Sequence, residues 1–592
     1  MPLSLETLFH RITRFVFVTG KGGVGKTSLS CALALNLAER GCSVLLVSTD
    51  PASNLDEVLE TALGPTPTPI AGVPGLQAMN LNPMVAATAY RESVVAPFRE
   101  VLPSEVLNNI EEQLSGACTV EIAAFNEFAA LMDSAEAVGS FDHIIFDTAP
   151  SGHTLRLLAL PAAWSEFLER PHAHASCLGP LHGLANHKAR YDRVLKGLAD
   201  PKLTLLTLVA RPQASALQEA ARASEELADL GLKNQCLVIN GVLTERSSSD
   251  SVAQAMFDQA QTALENMPET LRQLPHWQVR LRAHQILGLQ GLRRFFAPEP
   301  DAGEDAPDPG RPPASPYEGL EALIDQLVAA GPGLVMTMGK GGVGKTSVAV
   351  MVAQGLARRG CRVHLTTTDP ANHLLHLAHQ KMTGLTVGAV DPATELARYR
   401  LEVREAALDL DAQAKALLDE DLSSPCTEEI AVFRGFAREV ALAEGHHVVI
   451  DTAPTGHTVL LLDAAQAYQR EVLRQPGSLD PSVTQLLPRL RDPGYTRILL
   501  VTLPESTPVH EAAALQQDLR RAGISVYAWV VNQSLVPQEI QDPLLRARQT
   551  QEYPCLREVE RLAPALPYLI PWRSDYAFGA CLPCGESELT PP

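Results

Sequence analysis

The nine residues GKGGVGKTS occur twice in this chain, at positions 20–28 and again at positions 339–347. Each copy follows a short apolar run and fits the pattern G-x-x-x-x-G-K-[ST] of a phosphate-binding loop. Glycines let the backbone turn tightly, so that its N–H groups and the positive end of the following helix face a phosphate. Two identical copies in the same strand–loop–helix context therefore predict two nucleotide sites in one chain.

The motif also assigns a role to each of its residues. Lys26 and Lys345 are expected to reach the β- and γ-phosphates of ATP, and Thr27 and Thr346 to hold Mg²⁺. The remaining residues of the two loops would surround the phosphates: Gly20, Gly22, Gly23, Gly25 and Ser28 in the first copy, and Gly339, Gly341, Gly342, Gly344 and Ser347 in the second.

A second lysine, Lys21 or Lys340, directly follows the first glycine of each loop. It is either a surface charge or a catalytic group that reaches across a pair of sites to the other nucleotide and stabilises charge in the transition state. The doubled-lysine loop resembles the deviant Walker A motif of the class that includes the nitrogenase iron protein and the Min and partition ATPases. That resemblance implies a nucleotide sandwich dimer, with both halves here in one chain.

The repeat extends well beyond the two loops. Strand-like and helix-like segments alternate through each half, and the following pairs match: 48–54 with 366–373, 114–129 with 422–437, 141–154 with 446–458, and 237–243 with 529–535. This alternation predicts an α/β fold with two pseudo-twofold-related, doubly wound and mostly parallel sheets of the P-loop NTPase type. Ligands bind at the carboxyl ends of the strands in such sheets.

A stretch rich in proline, glycine and acidic residues separates the two halves. It predicts a flexible linker at 297–319, between an N-terminal ATPase half at 1–296 and a C-terminal half at 320–575. A tail at 576–592 carries a CxxC pair, Cys581 and Cys584, which is at most half of a tetrahedral zinc site.

Composition excludes several classes of protein. The chain has 592 residues, 46% of them hydrophobic, and a formal net charge of −20. The basic footprint of a nucleic-acid-binding protein is missing, so no nucleic-acid partner is expected. No apolar run is long enough to span a membrane, and the N-terminus does not read as a secretory signal. The ten cysteines are sparse for a disulfide scaffold, which favours reduced thiols in the cytoplasm.

Acidic residues follow an apolar strand at two places in each half. Asp147 and Asp451 occupy the Walker B position and would hold Mg²⁺, directly or through water, unless they only cap the next turn. Asp50 and Asp369, in the two TDPA segments, would orient or deprotonate the attacking water and add to the Mg²⁺ site. A simple Asp-Pro turn is the alternative for them.

Asn240 and Asn532 each end a later apolar strand. Either residue could read the edge of the adenine base or only stabilise a turn, and the sequence leaves both interpretations open.

The CTxEIAxF segments place Cys118 and Cys426 at equivalent positions, whereas Cys177 has no counterpart. Three thiolates at one site would suit a soft ion such as trivalent arsenic or antimony. His153 and His457 lie in the equivalent DTAP[ST]GHT segments, where they would either face that ion or hydrogen-bond their own loop. A single cysteine is more often a small buried hydrophobe, which is our interpretation of Cys31, Cys42, Cys236, Cys361 and Cys555.

Together these segments resemble the bacterial arsenical pump-driving ATPases, the soluble catalytic subunits of arsenite/antimonite efflux systems, over almost the whole chain. The resemblance implies that Cys118, Cys177 and Cys426 form the metalloid site, with His153 and His457 associated with it. It also implies that both ATP sites lie at the interface of the halves and that bound As(III) or Sb(III) activates hydrolysis.

The same resemblance implies two partners, a membrane arsenite pump subunit and a small arsenic metallochaperone. It implies a cytoplasmic protein that associates peripherally with the inner face of the cell membrane through the pump subunit.

Three other classes share part of the pattern. A tail-anchored-protein targeting ATPase, the main alternative, needs a large apolar groove that is often rich in methionine, and this chain has only ten methionines. An iron–sulfur ATPase would need symmetric cysteine pairs. A Min-type ATPase would need a C-terminal amphipathic helix, which the Pro/Gly-rich tail does not predict.

Overall fold

The structure is a computed structural model of the full chain. It describes the backbone of residues 6–50, 54–81, 83–96, 117–133, 140–148, 182–247, 249–296, 316–368, 382–407, 425–452 and 481–574, with a few single positions between 99 and 422.

The first half of the sequence contributes one sheet of eight strands. The strands are β1 (Phe15–Thr19), β2 (Val44–Ser48), β3 (Thr68–Pro69), β4 (Leu76–Asn80), β5 (His143–Asp147), β6 (Thr204–Ala210), β7 (Gln235–Val242) and β8 (His276–Arg280). Their order in the sheet is β3-β4-β2-β5-β1-β6-β7-β8. Neighbouring strands are parallel, except that β3 and β4 are antiparallel.

The second half contributes a sheet of seven strands. They are β9 (Gly333–Met338), β10 (Val363–Thr367), β11 (Leu385–Val387), β12 (His447–Asp451), β13 (Thr496–Thr502), β14 (Val526–Ser534) and β15 (Tyr568–Pro571). The order is β11-β10-β12-β9-β13-β14-β15, with all neighbours parallel. The central order β12-β9-β13 thus matches β5-β1-β6 of the first sheet. In both sheets the strand before the phosphate loop lies next to the strand that ends in the Walker B aspartate.

Helices cover both faces of each sheet. Those described in the first half are α1 (Glu6–Phe9), α2 (Lys26–Glu39), α3 (Leu55–Leu59), α4 (Pro83–Val95), α5 (Ala117–Asp133), α6 (His182–Ala199), α7 (Ala214–Asp229), α8 (Ser251–Glu265), α9 (Glu269–Arg272) and α10 (Gly288–Arg294). Those described in the second half are α11 (Leu320–Ala329), α12 (Lys345–Arg358), α13 (Pro392–Ala406), α14 (Pro425–Ala441), α15 (Pro481–Thr484), α16 (Leu486–Arg491), α17 (Ser506–Arg521) and α18 (Pro543–Leu562).

The central strands are apolar throughout because both of their faces are covered, as is usual in parallel sheets. In β1, Phe15 and Phe17 belong to the core on one face of the sheet, and Val16 and Val18 belong to the core on the other. The same alternation occurs in β9, where Leu334 and Met336 face one core and Val335 the other. This two-sided burial fixes the strands that lead into both phosphate loops.

The predicted fold class is confirmed, since two mostly parallel sheets with covering helices are present. The chain divides into two compact units, one around each sheet, and residues 398–430 and 542–547 group with the first unit.

Only the end of the predicted linker lies in the described part of the chain. There Tyr317 donates a hydrogen bond to Glu560, and Gly319 pairs with Leu569 of β15. Residues 297–315 and the tail at 576–592 lie outside the described residues. The domain boundaries therefore stay predictions.

Candidate nucleotide sites

The two phosphate loops join β1 to α2 and β9 to α12, at the carboxyl ends of central strands. Gly20 has a φ of +152° and Gly339 has one of +148°, in a region that favours glycine. A Cβ atom on either residue would also clash with a carbonyl oxygen of the neighbouring strand, that of Val209 or Val501. The first glycine of each motif is therefore required both by its backbone conformation and by the closeness of the next strand.

The last glycine of each motif lies at the start of the following helix. Gly25 precedes α2 with a φ of +93°, and Gly344 precedes α12 with a φ of +91°. A Cβ atom on these residues would meet the side-chain amides of Asn240 and Asn532, respectively. Both the left-handed backbone conformation and the nearby amide therefore require glycine at this position.

The motif lysines turn back into their own loops. The Lys26 ammonium donates to the carbonyl of Gly20 at 3.1 Å and to that of Lys21 at 3.2 Å. The Lys345 ammonium donates to the carbonyl of Lys340 at 3.1 Å. Both lysines are buried, and a buried ammonium needs such oxygens around it. Their positions fit the predicted role of binding phosphate oxygens.

The motif threonine and the Walker B aspartate form a hydrogen-bonded pair in each half. Thr27 donates to Asp147 Oδ2 at 2.7 Å, and Thr346 donates to Asp451 Oδ2 at 2.6 Å. Both aspartates end their strands and are only 2% exposed. A hydroxyl and a carboxylate in this arrangement are the oxygen ligands that Mg²⁺ takes in P-loop ATPases. The residues therefore fit a magnesium site next to each loop.

The environment of Asp147 raises its pKa to about 6. Burial is the main cause, and the nearby Asp50 carboxylate adds to it. The hydrogen bonds from Thr27 and Ser30 and the charge of Lys26 act in the opposite direction. An acid that resists ionisation when its site is bare is well suited to a cation, because a cation removes the penalty of the buried negative charge.

The two Walker B sites differ in one donor. Ser30, the fifth residue of α2, donates to Asp147 Oδ1 at 3.1 Å. Ala349 is the fifth residue of α12, so the second half has no hydroxyl at that position to offer Asp451. Sequence reasoning missed Ser30, although it lies four residues after Lys26 and hence on the same side of the helix.

Asn240 and Asn532 hold the phosphate loops in place. The amide of Asn240 donates to the carbonyl of Val24, and that of Asn532 donates to the carbonyl of Val343, each at 2.9 Å. Asn240 lies in β7 and Asn532 lies in β14. Each of these strands is two places along the sheet from the strand that leads into the phosphate loop. A role for these residues in reading adenine stays a prediction.

Asp50 lies two residues after β2, partly exposed, with its N–H donating to Ser48 Oγ at 3.3 Å. Its influence on the pKa of Asp147 places it near the predicted Mg²⁺ site. Asp369, its counterpart, lies outside the described residues.

The structure describes only the backbone of two of the five predicted metalloid ligands. Cys118 is the second residue of the 17-residue helix α5, and Cys426 is the second residue of the 17-residue helix α14. The two cysteines thus have matching places in helices of equal length, while their side chains lie outside the described part of the structure. Cys177, His153 and His457 lie outside it altogether. Among the residues described, no group of three or more His, Cys, Asp or Glu could hold a metal.

The prediction of small buried hydrophobes is confirmed for three of the other five cysteines, whereas the remaining two only pack against the edge of a core. Cys31, Cys236 and Cys555 are buried, and Cys42 and Cys361 are partly exposed. Burial raises the pKa of the Cys31 thiol well above its ordinary value and that of Cys236 to about 11. These two thiols are therefore protonated and poor ligands for a soft ion.

An aromatic cluster connects α5 with the first nucleotide site. Phe128 of α5 packs edge-on against Phe146 and Phe17, with ring centroids 5.0 and 5.7 Å apart, and Phe17 stacks on Phe146 at 4.7 Å. Phe146 directly precedes Asp147, and Phe17 lies three residues before Gly20. The helix that begins near Cys118 is therefore anchored on the two strands that present the site.

These features define a P-loop ATPase with two sites of the same design. A comparison with protein families agrees: the model of the anion-transporting ATPase family matches residues 13–297, 333–487 and 463–566. The chain therefore belongs to the anion-transporting ATPase family and is an enzyme that hydrolyses ATP.

Curated relatives extend over nearly the whole chain. An arsenical pump-driving ATPase of Acidiphilium multivorum is 49% identical over 93% of this chain and 95% of its own length. One of Escherichia coli is 49% identical over 95% of this chain and 96% of its own length. ATPase get3 of Schizosaccharomyces pombe is 28% identical over 50% of this chain and 94% of its own length. The resemblance to the arsenical pump-driving ATPases is thus confirmed.

One further property bears on the membrane. Among the helices that the structure describes, none combines the length and the apolar character needed to cross a bilayer.

Proposed function

We propose that this chain is a metalloid-stimulated ATPase, which powers the export of arsenite and antimonite through a membrane pump subunit. The observation that carries the proposal is the similarity over nearly the full length to relatives named arsenical pump-driving ATPases. The two equivalent Thr–Asp pairs support ATP hydrolysis in both halves.

In each half the chain's own residues would bind ATP and position water. The loop N–H groups, Lys26 and Lys345 would bind the phosphates, and Asp50 and Asp369 would orient the attacking water and accept its proton. Mg²⁺, when bound near Thr27 and Thr346, would neutralise charge on the phosphates.

The activator would be the cargo itself. Cys118, Cys177 and Cys426 would bind As(III) or Sb(III) as thiolates, with His153 and His457 beside them. Support comes from the equivalent places of Cys118 and Cys426 at the start of matching helices. Metalloid binding would favour a closed arrangement in which Lys21 and Lys340 each act on the nucleotide of the opposite half.

The proposed partners are the membrane pump subunit, which would receive the metalloid, and a small arsenic metallochaperone, which would supply it. The protein would lie in the cytoplasm and associate with the inner face of the cell membrane through the pump subunit. The net charge of −20 disfavours nucleic acid as a partner.

The test is the steady-state rate of ATP hydrolysis by the full chain at saturating Mg-ATP, under reducing conditions, as antimonite is added. We expect a saturable increase that Cys118→Ser, Cys177→Ser and Cys426→Ser each weaken while ATP binding is kept. Cys361→Ser, at a partly exposed cysteine outside the motifs, is the matched control and should keep full stimulation.

A rate that does not respond to antimonite or arsenite at any concentration would contradict the proposal. The ATPase assignment would stand, and a protein-targeting ATPase stimulated by its partner would become the better explanation.

A further inference from the structure

The second lysine of each loop has a different environment in the two halves. Lys340 forms an ion pair with Glu511 of α17, and the two side chains are only 21% and 14% exposed. Lys21, at the equivalent position of the first loop, has no ion pair within the described part of the chain. Two loops of identical sequence therefore hold their second lysines differently.

The equivalent helices α7 and α17 differ in how their glutamates are paired. Glu219 is the sixth residue of α7, as Glu511 is of α17, and both helices have 16 residues. Glu219, however, pairs with Arg222 at 2.9 Å, three residues along the same helix. The residue three positions after Glu511 is Ala514, which cannot compete with Lys340 for the carboxylate.

We propose that Glu511 is a positioning residue that retains Lys340 in its own half, and that Arg222 prevents Glu219 from retaining Lys21 in the same way. This rests on the proposed function, in which each lysine acts at the nucleotide of the opposite half. Lys340 must break its ion pair before it can act, whereas Lys21 has no such pair to break. The two ATP sites are then unequal in the absence of metalloid, and the slower one is the site in the first half.

The size of the effect follows from the exposure of the pair. Exposed ion pairs contribute little, and the upper end of their range corresponds to about fivefold in an equilibrium constant. The Lys340–Glu511 pair is mostly shielded from water, so its loss belongs at or above that end. We expect Glu511→Gln to raise the metalloid-free rate at the site in the first half about fivefold. With two otherwise equal sites, the total rate then rises from about 1.2 to about 2 times that of the second site, which is about 1.7-fold.

The experiment compares basal and antimonite-stimulated hydrolysis in the full chain. Glu219→Gln is the matched control, and it should leave the total basal rate unchanged because Glu219 pairs with Arg222 and not with Lys21. Ala514→Arg, which supplies a guanidinium at the spacing of Arg222, should raise the basal rate as Glu511→Gln does. The rate at saturating antimonite should not change, so the ratio of stimulation should fall.

A double-mutant cycle separates this role from a general loss of structure. In a Lys340→Met background there is no ammonium to release, so Glu511→Gln should no longer change the basal rate. Thermal unfolding of each variant checks that the second unit stays folded. An equal effect of Glu511→Gln with and without Lys340, or equal effects of Glu511→Gln and Glu219→Gln, would overturn the proposal.

The underlying function is tested separately. If Lys21→Met and Lys340→Met both keep the stimulated rate, the lysines do not act on either nucleotide, and that part of the proposed function fails. If Lys340→Met lowers the stimulated rate while Glu511→Gln behaves like its control, only the role of Glu511 fails.

Discussion

Asp147→Asn should stabilise the protein in the absence of nucleotide and metal while it abolishes hydrolysis in the first half. The carboxyl group is 2% exposed, and its surroundings raise its pKa from 3.8 to about 6. Above about pH 6 the group is ionised, and the folded protein then bears the free-energy cost of a buried negative charge. Asparagine has nearly the same shape and no charge to bury.

The magnitude follows from proton linkage. Because the folded-state pKa is the higher one, the stabilising contribution is present at low pH and is lost as the pH rises from 3.8 through about 6. The full loss is about 3 kcal/mol, and the part between about pH 5 and pH 8 is about 1.4 kcal/mol. The variant has no such loss. The difference in free energy of unfolding between Asp147→Asn and wild type should therefore grow by about 1.4 kcal/mol across that interval.

Hydrogen–deuterium exchange measures this difference where it arises. The amides of β1 and β5 report the opening of the first unit, so a transition in the second unit does not obscure the result. The measurement is made with EDTA and without nucleotide at both pH values, after correction for intrinsic exchange. Asp229→Asn, at an exposed position of α7, is the matched control and should show no growing difference.

A constant difference between Asp147→Asn and wild type from pH 5 to pH 8 would refute the reasoning, since it would mean that the buried carboxyl keeps an ordinary pKa. A variant that loses stability as the pH rises would refute it even more directly. Adding Mg-ATP should reverse the ranking, because the wild-type protein alone can then use its carboxylate to hold the cation.

Three further predictions concern other parts of the two units. Gly25→Ala should lower ATP affinity in the first half at least about tenfold, since alanine is strained there and its Cβ meets Asn240; equilibrium dialysis that still finds two equal sites would contradict this. Phe128→Ala should destabilise the first unit by about 3–5 kcal/mol, visible as faster hydrogen exchange in α5. Phe128→Leu should lower the free energy of unfolding by less. Unchanged exchange in Phe128→Ala would disprove the anchoring role. Burial raises the pKa of Glu552 to about 7, so the second unit should lose stability as the pH rises from 4.5 towards 7. Glu552→Gln should remove this pH dependence from the hydrogen exchange of the β14 amides. An identical pH profile in both proteins would argue against the prediction.

Much of the fold could be predicted because the signals are local and repeated. Apolar runs such as residues 15–18 and 334–336 mark strands, and each is followed by an unmistakable loop. The edges of the sheets could not be predicted in this way. The two-residue strand β3 pairs antiparallel with β4, and this depends on contacts between segments rather than on either segment alone. Pro554 lies inside the 20-residue helix α18, against the local preference of proline, because packing of the helix outweighs it.

Some features of the site could likewise be predicted from sequence and others could not. The positions of Lys26, Thr27 and Asp147 could be predicted from sequence, because the motif fixes where each side chain lies relative to the loop. Glu552 could not be found in this way, since a glutamate in a helix is usually exposed. Here it is buried and accepts hydrogen bonds from Ser534 and from the N–H groups of the loop after β14. Its function is to fix the chain just beyond Asn532, which only the tertiary structure reveals.

The two identical motifs do not make two identical sites. Within the motif the contacts repeat, since each threonine donates to its aspartate and each loop accepts a hydrogen bond from an asparagine. The differences lie outside the motif and concern charged groups. Ser30 donates a hydrogen bond to Asp147, whereas Ala349 at the equivalent position has no hydroxyl to donate to Asp451. Arg222 pairs with Glu219, whereas Ala514 leaves Glu511 to pair with Lys340. A polar neighbour changes the energy of a buried charge far more than that of a neutral group. Substitutions at these neighbours can therefore make the two ATP sites unequal while each loop keeps its geometry.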